Sequence, residues 1–173
     1  MANKREKVLY SREDIDLRVK ELGSIVSEDY KDKNLLVISL LRGSFVFAAD
    51  LIRELSIPVE IDFMTTASYG HGETTTGNVE IITDVRTGVE GKDILIVDDI
   101  ADSGYTLKKV KDLLLLKNPN SIKICVMLDK PSRRQVDIDP DFVGFSIEDV
   151  FIVGYGLNYG DHYRNIPYIF TFE

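Results

Sequence analysis

The chain has 173 residues, 44% hydrophobic and 29% charged, a size and balance that suit one soluble domain with its own core and exclude fibrous, disordered and multi-module architectures. Its formal charge is −8 at pH 7 and no basic stretch is long enough to follow a nucleic-acid backbone, which argues against nucleic-acid partners. The opening residues MANKREKVLY lack the apolar centre of a signal peptide, and no apolar run approaches the roughly 20 residues that span a bilayer, so a cytoplasmic protein without a membrane partner is expected.

Along the chain, Ser11 followed by Asp14 forms a capping-box pattern with Asp in place of the longer Glu. Ile15, Val19, Leu22 and Val26 then recur at helical spacing, which predicts an amphipathic helix over residues 11–30. Residues 35–41, LLVISLL, are a continuous apolar run of strand length, and residues 44–55, SFVFAADLIREL, are rich in helix formers; strand, tight turn and helix make half of a parallel βαβ unit. Alternation predicts strands over 59–69 and 78–84, joined at 70–77 by GHGETTTG, which reads as a plain hairpin loop or as a mobile catalytic lid. A strand over 93–97, a helix over 106–117 and a strand over 121–128 follow, so the architecture is α/β with a parallel-sheet core flanked by helices. Short apolar pieces at 142–145, 151–154 and 168–172 predict shorter strands and loops in a small subdomain over the sheet edge. The single cysteine, Cys125, lies in an apolar run and belongs in the core, which excludes a disulfide framework and a cysteine metal site.

Chemistry concentrates in residues 94–107, ILIVDDIADSGYTL, where an apolar strand runs into Asp98 and Asp99 and then into the small-residue turn Asp102, Ser103, Gly104, Tyr105, Thr106. In open α/β sheets ligands bind beyond the carboxyl ends of strands, where a loop hands its N–H groups to the next helix, and that place suits a phosphate. Two adjacent carboxylates repel a bare anion, so they should meet sugar hydroxyls or a metal ion, and the ligand becomes a sugar phosphate. The plainer alternatives are a solvated strand end for Asp98 and Asp99 and a helix cap built by Asp102 or Ser103. GxxxxGK[ST] is absent, GYGLNYG at 154–160 misses the GxGxxG spacing, His71 and His162 lack partners at zinc-ligand spacing, and no GxSxG elbow surrounds Ser44, Ser68 or Ser103.

VDDIADSGYTL resembles the signature of the type I phosphoribosyltransferases, which use 5-phosphoribosyl 1-diphosphate. LLRGSFVFAADL, DFMTTASYG, LDKPSRR and DFVGFSIEDVFIVGYGLNY extend the likeness to the hypoxanthine-guanine phosphoribosyltransferases, from about residue 8 to the C-terminus. The resemblance implies the type I phosphoribosyltransferase fold in a single domain, 1–173, with a hood formed by the N- and C-terminal segments and a flexible loop. It implies Mg²⁺-dependent transfer of phosphoribosyl to hypoxanthine or guanine, and a homodimer or homotetramer paired through the helix after Arg42. Asp102 would be the general base beside the purine N7. Ser103, Gly104, Tyr105 and Thr106 would hold the 5′-phosphate, and Asp98 and Asp99 the ribose hydroxyls or the metal. Leu41, Arg42, Gly43 and Arg164 would meet the diphosphate, with a cis peptide before Arg42 and Ser68 and Tyr69 closing from the loop. Lys130 would read the exocyclic oxygen that adenine lacks, with Arg134 positioning Lys130 or the diphosphate. Phe151 would stack on the purine between the backbones of Val150 and Ile152, although a core role fits Phe151 by sequence alone, as a surface role fits Arg164.

One position departs from the family pattern. Asn158 stands in GYGLNY where many members have Asp, so the implied metal set is Asp98, Asp99 and Asn158, with an amide that keeps an acceptor oxygen and loses the charge. Rival readings are a xanthine- or hypoxanthine-restricted enzyme and a nucleotide-sensing regulator of RNA or DNA; Asp102 and the lack of a basic face favour the enzyme.

Overall fold

The computed structural model describes residues 5–69 and 77–173. β1 (Glu6–Tyr10) leads through Ser11 into α1 (Arg12–Asp29). Asp14 N donates to Ser11 Oγ at 3.1 Å and Ser11 N donates to Asp14 Oδ2 at 2.9 Å, so the shorter acid does close the capping box. Then come β2 (Leu35–Leu41), α2 (Phe45–Arg53), β3 (Glu60–Tyr69), β4 (Asn78–Thr83), β5 (Asp93–Ala101) and α3 (Tyr105–Leu115). After α3 follow β6 (Ser121–Asp129), a 3-10 turn (Pro131–Arg133), β7 (Phe142–Ser146) and β8 (Ile169–Phe172).

Six strands form one sheet in the order β4-β3-β2-β5-β6-β7, parallel throughout except for the β3–β4 pair. Its central strands are apolar on both faces because both faces are covered. Leu36, Ile38, Ile94, Ile96, Ile124 and Val126 pack with Leu107, Val110 and Leu114 of α3. Leu35, Val37, Leu95, Val97, Cys125 and Met127 pack on the other side with Ile15, Val19, Leu22 and Val26 of α1 and Phe47 and Leu51 of α2. From β2 the chain winds outward through α2 to β3, and from β5 it winds the opposite way through α3 to β6. The strand order therefore reverses between β2 and β5, the place where open sheets of this kind leave a crevice for a ligand. The last β2–β5 pair is Ser39 opposite Val97, so the strands part at Leu40 and Asp98 and open that crevice.

β1 and β8 pair antiparallel as a separate ribbon that joins the two ends of the chain. Composition did not predict β1: only five residues long, it is mostly exposed and meets one partner. β5 runs four residues beyond the expected 93–97, because β6 continues alongside it to Asp129 and pairs with Asp98, Ile100 and Ala101. Residues 151–154 form only a bridge, Val153 with Phe170, rather than a strand. Gly154, Tyr155 and Gly156 all have positive φ, at 97°, 51° and 98°, which ends extended backbone there. The loop expectation for residues 70–76 lies outside the described residues. Among the described residues no helix is long and apolar enough to cross a membrane.

Candidate active site

A cleft of about 290 Å³ lies at the β2–β5 crevice, lined from β2 and its loop by Leu41, Arg42 and Gly43, from β3 by Thr66 and Ser68, and from β5 and its loop by Asp98, Asp99, Ile100, Asp102, Ser103, Gly104 and Thr106. Ser44 shapes the first loop: its buried Oγ donates to Leu40 O at 2.5 Å and lies 2.7 Å from Ser39 Oγ, closing the turn from β2 into α2. The Leu41–Arg42 peptide is cis, as the resemblance implied. Gly43 sits against β5 so closely that a Cβ would overlap the Asp99 carboxylate. Any larger residue there would displace the Asp99 carboxylate from its place in the acidic pair.

The acidic pair is not a solvated strand end, since Asp98 is only 9% exposed. Burial, the facing Asp99 charge and a hydrogen bond between the two carboxyl groups push Asp98 well above the usual carboxylate range. Burial raises Asp99 as well, offset by the Asp98 hydrogen bond, the Ile100 N–H at 2.7 Å and the Arg164 charge. A desolvated acidic pair whose two members are both raised in pKa favours an incoming cation or hydroxyl donors over another anion.

Beyond the acids, Gly104 is the N-cap of α3, with φ +91°, and no side chain caps the helix. The cap alternative for Asp102 or Ser103 is therefore not realised, and the first N–H groups of α3 open onto the cleft beside Ser103 and Thr106. That is an anion seat built from the backbone. Gly104 is required twice, by its left-handed backbone and by Ile138 Cγ2, which a Cβ would meet at 2.7 Å.

A desolvated acidic pair, an uncapped helix N-terminus and a second loop with an arginine thus converge at one switch point. The family described as the phosphoribosyl transferase domain matches residues 8–160, most of the chain. The chain belongs to the phosphoribosyltransferase family. The hypoxanthine phosphoribosyltransferase of Salmonella typhimurium is 51% identical over 94% of this chain and 92% of that protein. The hypoxanthine-guanine phosphoribosyltransferase of Streptococcus agalactiae is 46% identical over 98% of this chain and 94% of its own length. A crystal structure of a hypoxanthine phosphoribosyltransferase from Staphylococcus aureus matches with TM-score 0.93 and 45% identity, covering 96% of this chain and 91% of that one. The fold is accordingly that of the type I phosphoribosyltransferases.

In this phosphoribosyltransferase the remaining sequence-picked residues divide. Leu41, Arg42, Gly43, Ser68, Asp98, Asp99, Asp102, Ser103, Gly104 and Thr106 line the one cleft, and Tyr105 lies in an adjoining recess with Ser68 and Thr106. Tyr69 ends β3. Lys130, Arg134, Val150, Phe151, Ile152, Asn158 and Arg164 stand outside the lining of that cleft. Lys130 is buried, 3.6 Å from Asp149 Oδ1. Phe151 is 57% exposed and edge-on to Tyr159, which excludes the core alternative for it. Ile152 is buried and Val150 partly so. Arg164 donates to Gly156 O at 2.7 Å while its charge acts on Asp99, so it is not merely a surface residue. Asn158 is exposed, with Nδ2 donating to Gly160 O at 2.6 Å.

Arg134 turns inward to brace the site: Nη1 donates to Asp102 O at 2.7 Å and Nη2 to Asp129 Oδ1 at 2.5 Å. Sequence reasoning missed Asp129, Arg133 and Asp149, the groups that tie this loop to its neighbours. The double arginine after a strand-ending Lys-Pro was the available signal for Arg133; nothing local marked Asp149.

Proposed function

We propose that this chain is a cytoplasmic, Mg²⁺-dependent purine-salvage enzyme that transfers the 5-phosphoribosyl group of phosphoribosyl diphosphate to hypoxanthine or guanine, giving the nucleotide and diphosphate. The observation that carries this reading is the meeting, in one cleft, of the Asp98–Asp99 pair, the uncapped N-terminus of α3 and the Leu41–Gly43 loop. A chain about half identical to hypoxanthine phosphoribosyltransferases supports the choice of purine.

The 5′-phosphate is held by the N–H groups of Ser103 to Thr106 and by the Ser103 and Thr106 hydroxyls. Asp98 and Asp99 accept from the ribose hydroxyls, and the Arg42 backbone, Gly43 and Arg164 meet the diphosphate. As the bond from the ribose carbon to diphosphate breaks, positive charge develops on that carbon. The Asp102 carboxylate favours this charge and takes the proton that the purine ring loses as its nitrogen forms the new bond. Lys130 donates to the exocyclic oxygen, Phe151 stacks on the ring, and the backbones of Val150 and Ile152 read its edge. Ser68 and Tyr69 exclude water, which would otherwise intercept the cation.

Mg²⁺ fits the donor set: Asp98 and Asp99 offer adjacent, partly dehydrated carboxylates whose mutual repulsion a divalent cation relieves. Among the described residues no group of three or more His, Cys, Asp or Glu is arranged to hold a metal. The ion's other positions would fall to substrate oxygens and water, and Asn158 would join through water. When bound, the ion supplies charge that neutralises the departing diphosphate. A homodimer or homotetramer completes the reading.

Purified protein given phosphoribosyl diphosphate, Mg²⁺ and, separately, hypoxanthine, guanine, xanthine, adenine or uracil should form nucleotide from the first two, measured by mass. Turnover should vanish with chelator and fall by about 10²-fold or more in Asp102→Asn, the scale of a lost general base. Tight binding of phosphoribosyl diphosphate with no turnover of any base would instead indicate a regulator.

A further inference from the structure

We infer that Arg133 is the positioning residue for Asp102 and that, through Asp149, it sets the spacing between that carboxylate and Lys130; the inference rests on the roles proposed above for Asp102 and Lys130. Arg133 ends the 3-10 turn after β6, and its Nε donates to Asp102 Oδ1 at 2.7 Å. Its Nη1 faces both oxygens of Asp149, at 3.2 and 3.5 Å, and Asp149 Oδ1 lies 3.6 Å from Lys130 Nζ. Asp102, Arg133, Asp149 and Lys130 thus alternate in sign along one chain of contacts, which joins the β5–α3 loop, the turn after β6 and the segment after β7.

The two consecutive arginines divide the work. Arg134 holds the Asp102 main chain through its carbonyl, and Gln135 N donates to Ser103 O at 2.9 Å, so the loop backbone is fixed without Arg133. Among the described residues only Arg133 grips the side chain. The Asp102 carboxylate is 42% exposed, and free of that grip it would rotate in solvent. With Oδ1 pinned, Oδ2 carries no hydrogen bond from the described residues and stays available for a proton. A group held by one oxygen and one rotamer loses less freedom as the reacting atoms align.

The test is a double-mutant cycle on the full-length enzyme, with kcat and both KM values measured for hypoxanthine and guanine. Arg133→Gln should lower kcat about tenfold, a loss of the size misplacement brings, with the KM for phosphoribosyl diphosphate unchanged. Asp149→Asn should move kcat the same way by less, and Arg133→Lys should restore part of the loss. In an Asp102→Asn background Arg133→Gln should cost nothing further, because the group it positions has lost its function. Losses that multiply in the double variant, a rise in kcat, or a fall in melting temperature large enough to explain the lost activity would overturn the inference. A parent inactive on every purine would remove the functional reading and this inference together, whereas an active parent with additive losses would remove only the second.

Discussion

Asp98 carries two opposed demands. Its carboxyl is buried, faces Asp99 and is pushed well above the usual range, so ionising it in the free protein costs folding stability. The same desolvated pair is what a cation or two sugar hydroxyls would engage. Asp98→Asn should therefore raise the melting temperature of the ligand-free protein by roughly 2–4 °C, the scale of about 1 kcal/mol in a domain this size, while lowering activity. Thermal melts at neutral pH with parallel turnover assays would check it, and a variant less stable than the parent would show that the pair is not repulsive. These acids were legible in the sequence because they are adjacent, follow an apolar run and precede a small-residue turn. The contacts of Arg133 and Asp149 were not: the double arginine offered a signal for Arg133, but Asp102 lies 31 residues and Asp149 16 residues from it, and no local pattern records a contact of that range.

At the scale of an element, the proposed phosphate seat depends on how α3 begins. An α3 started by Ser or Asp would spend an N–H on its own cap; Gly104 leaves the first turn open. Gly104→Ala places a side chain at φ +91° and against Ile138, for a cost of about 2–3 kcal/mol and a fall in melting temperature of roughly 5–10 °C. The KM for phosphoribosyl diphosphate should rise as well. A variant that melts lower but keeps its KM would separate the turn's shape from ligand binding. The helices and central strands could be read from period because their cores impose it: Ile15, Val19, Leu22 and Val26 repeat as a helix face, and β2 is buried on both sides. β1 and residues 151–154 could not, since a single exposed partner and a run of positive φ leave no hydrophobic rhythm.

Across the whole molecule, carboxylates of two kinds set how stability depends on pH. Burial pushes Asp62 up, but the Thr87, Phe63 and Arg86 N–H groups outweigh it and hold the carboxyl below the ordinary range. Asp93 behaves likewise, its burial outweighed by Ser121 and Asn120, each donating at 2.7 Å, and by Lys33. Such groups bind fewer protons folded than unfolded, so their stabilisation is present above the unfolded carboxylate range and is lost as pH falls from there through their lowered values. Asp98 and Asp99 have the opposite sign. They bind more protons folded than unfolded, so stability is lost as pH rises from the ordinary range through their raised values. The ligand-free protein should therefore show a stability maximum between the two windows, seen by urea denaturation from about pH 3 to about pH 8. Asp62→Asn should flatten the acid limb alone. Saturating Mg²⁺ and phosphoribosyl diphosphate should flatten the other, because a ligand that engages the ionised pair adds stability, about 2.7 kcal/mol at a hundredfold excess over Kd, where the pair alone loses it. If the alkaline decline persists undiminished with ligand bound, the decline comes from groups outside the cleft, and the proposed meeting of ligand with Asp98 and Asp99 fails with it.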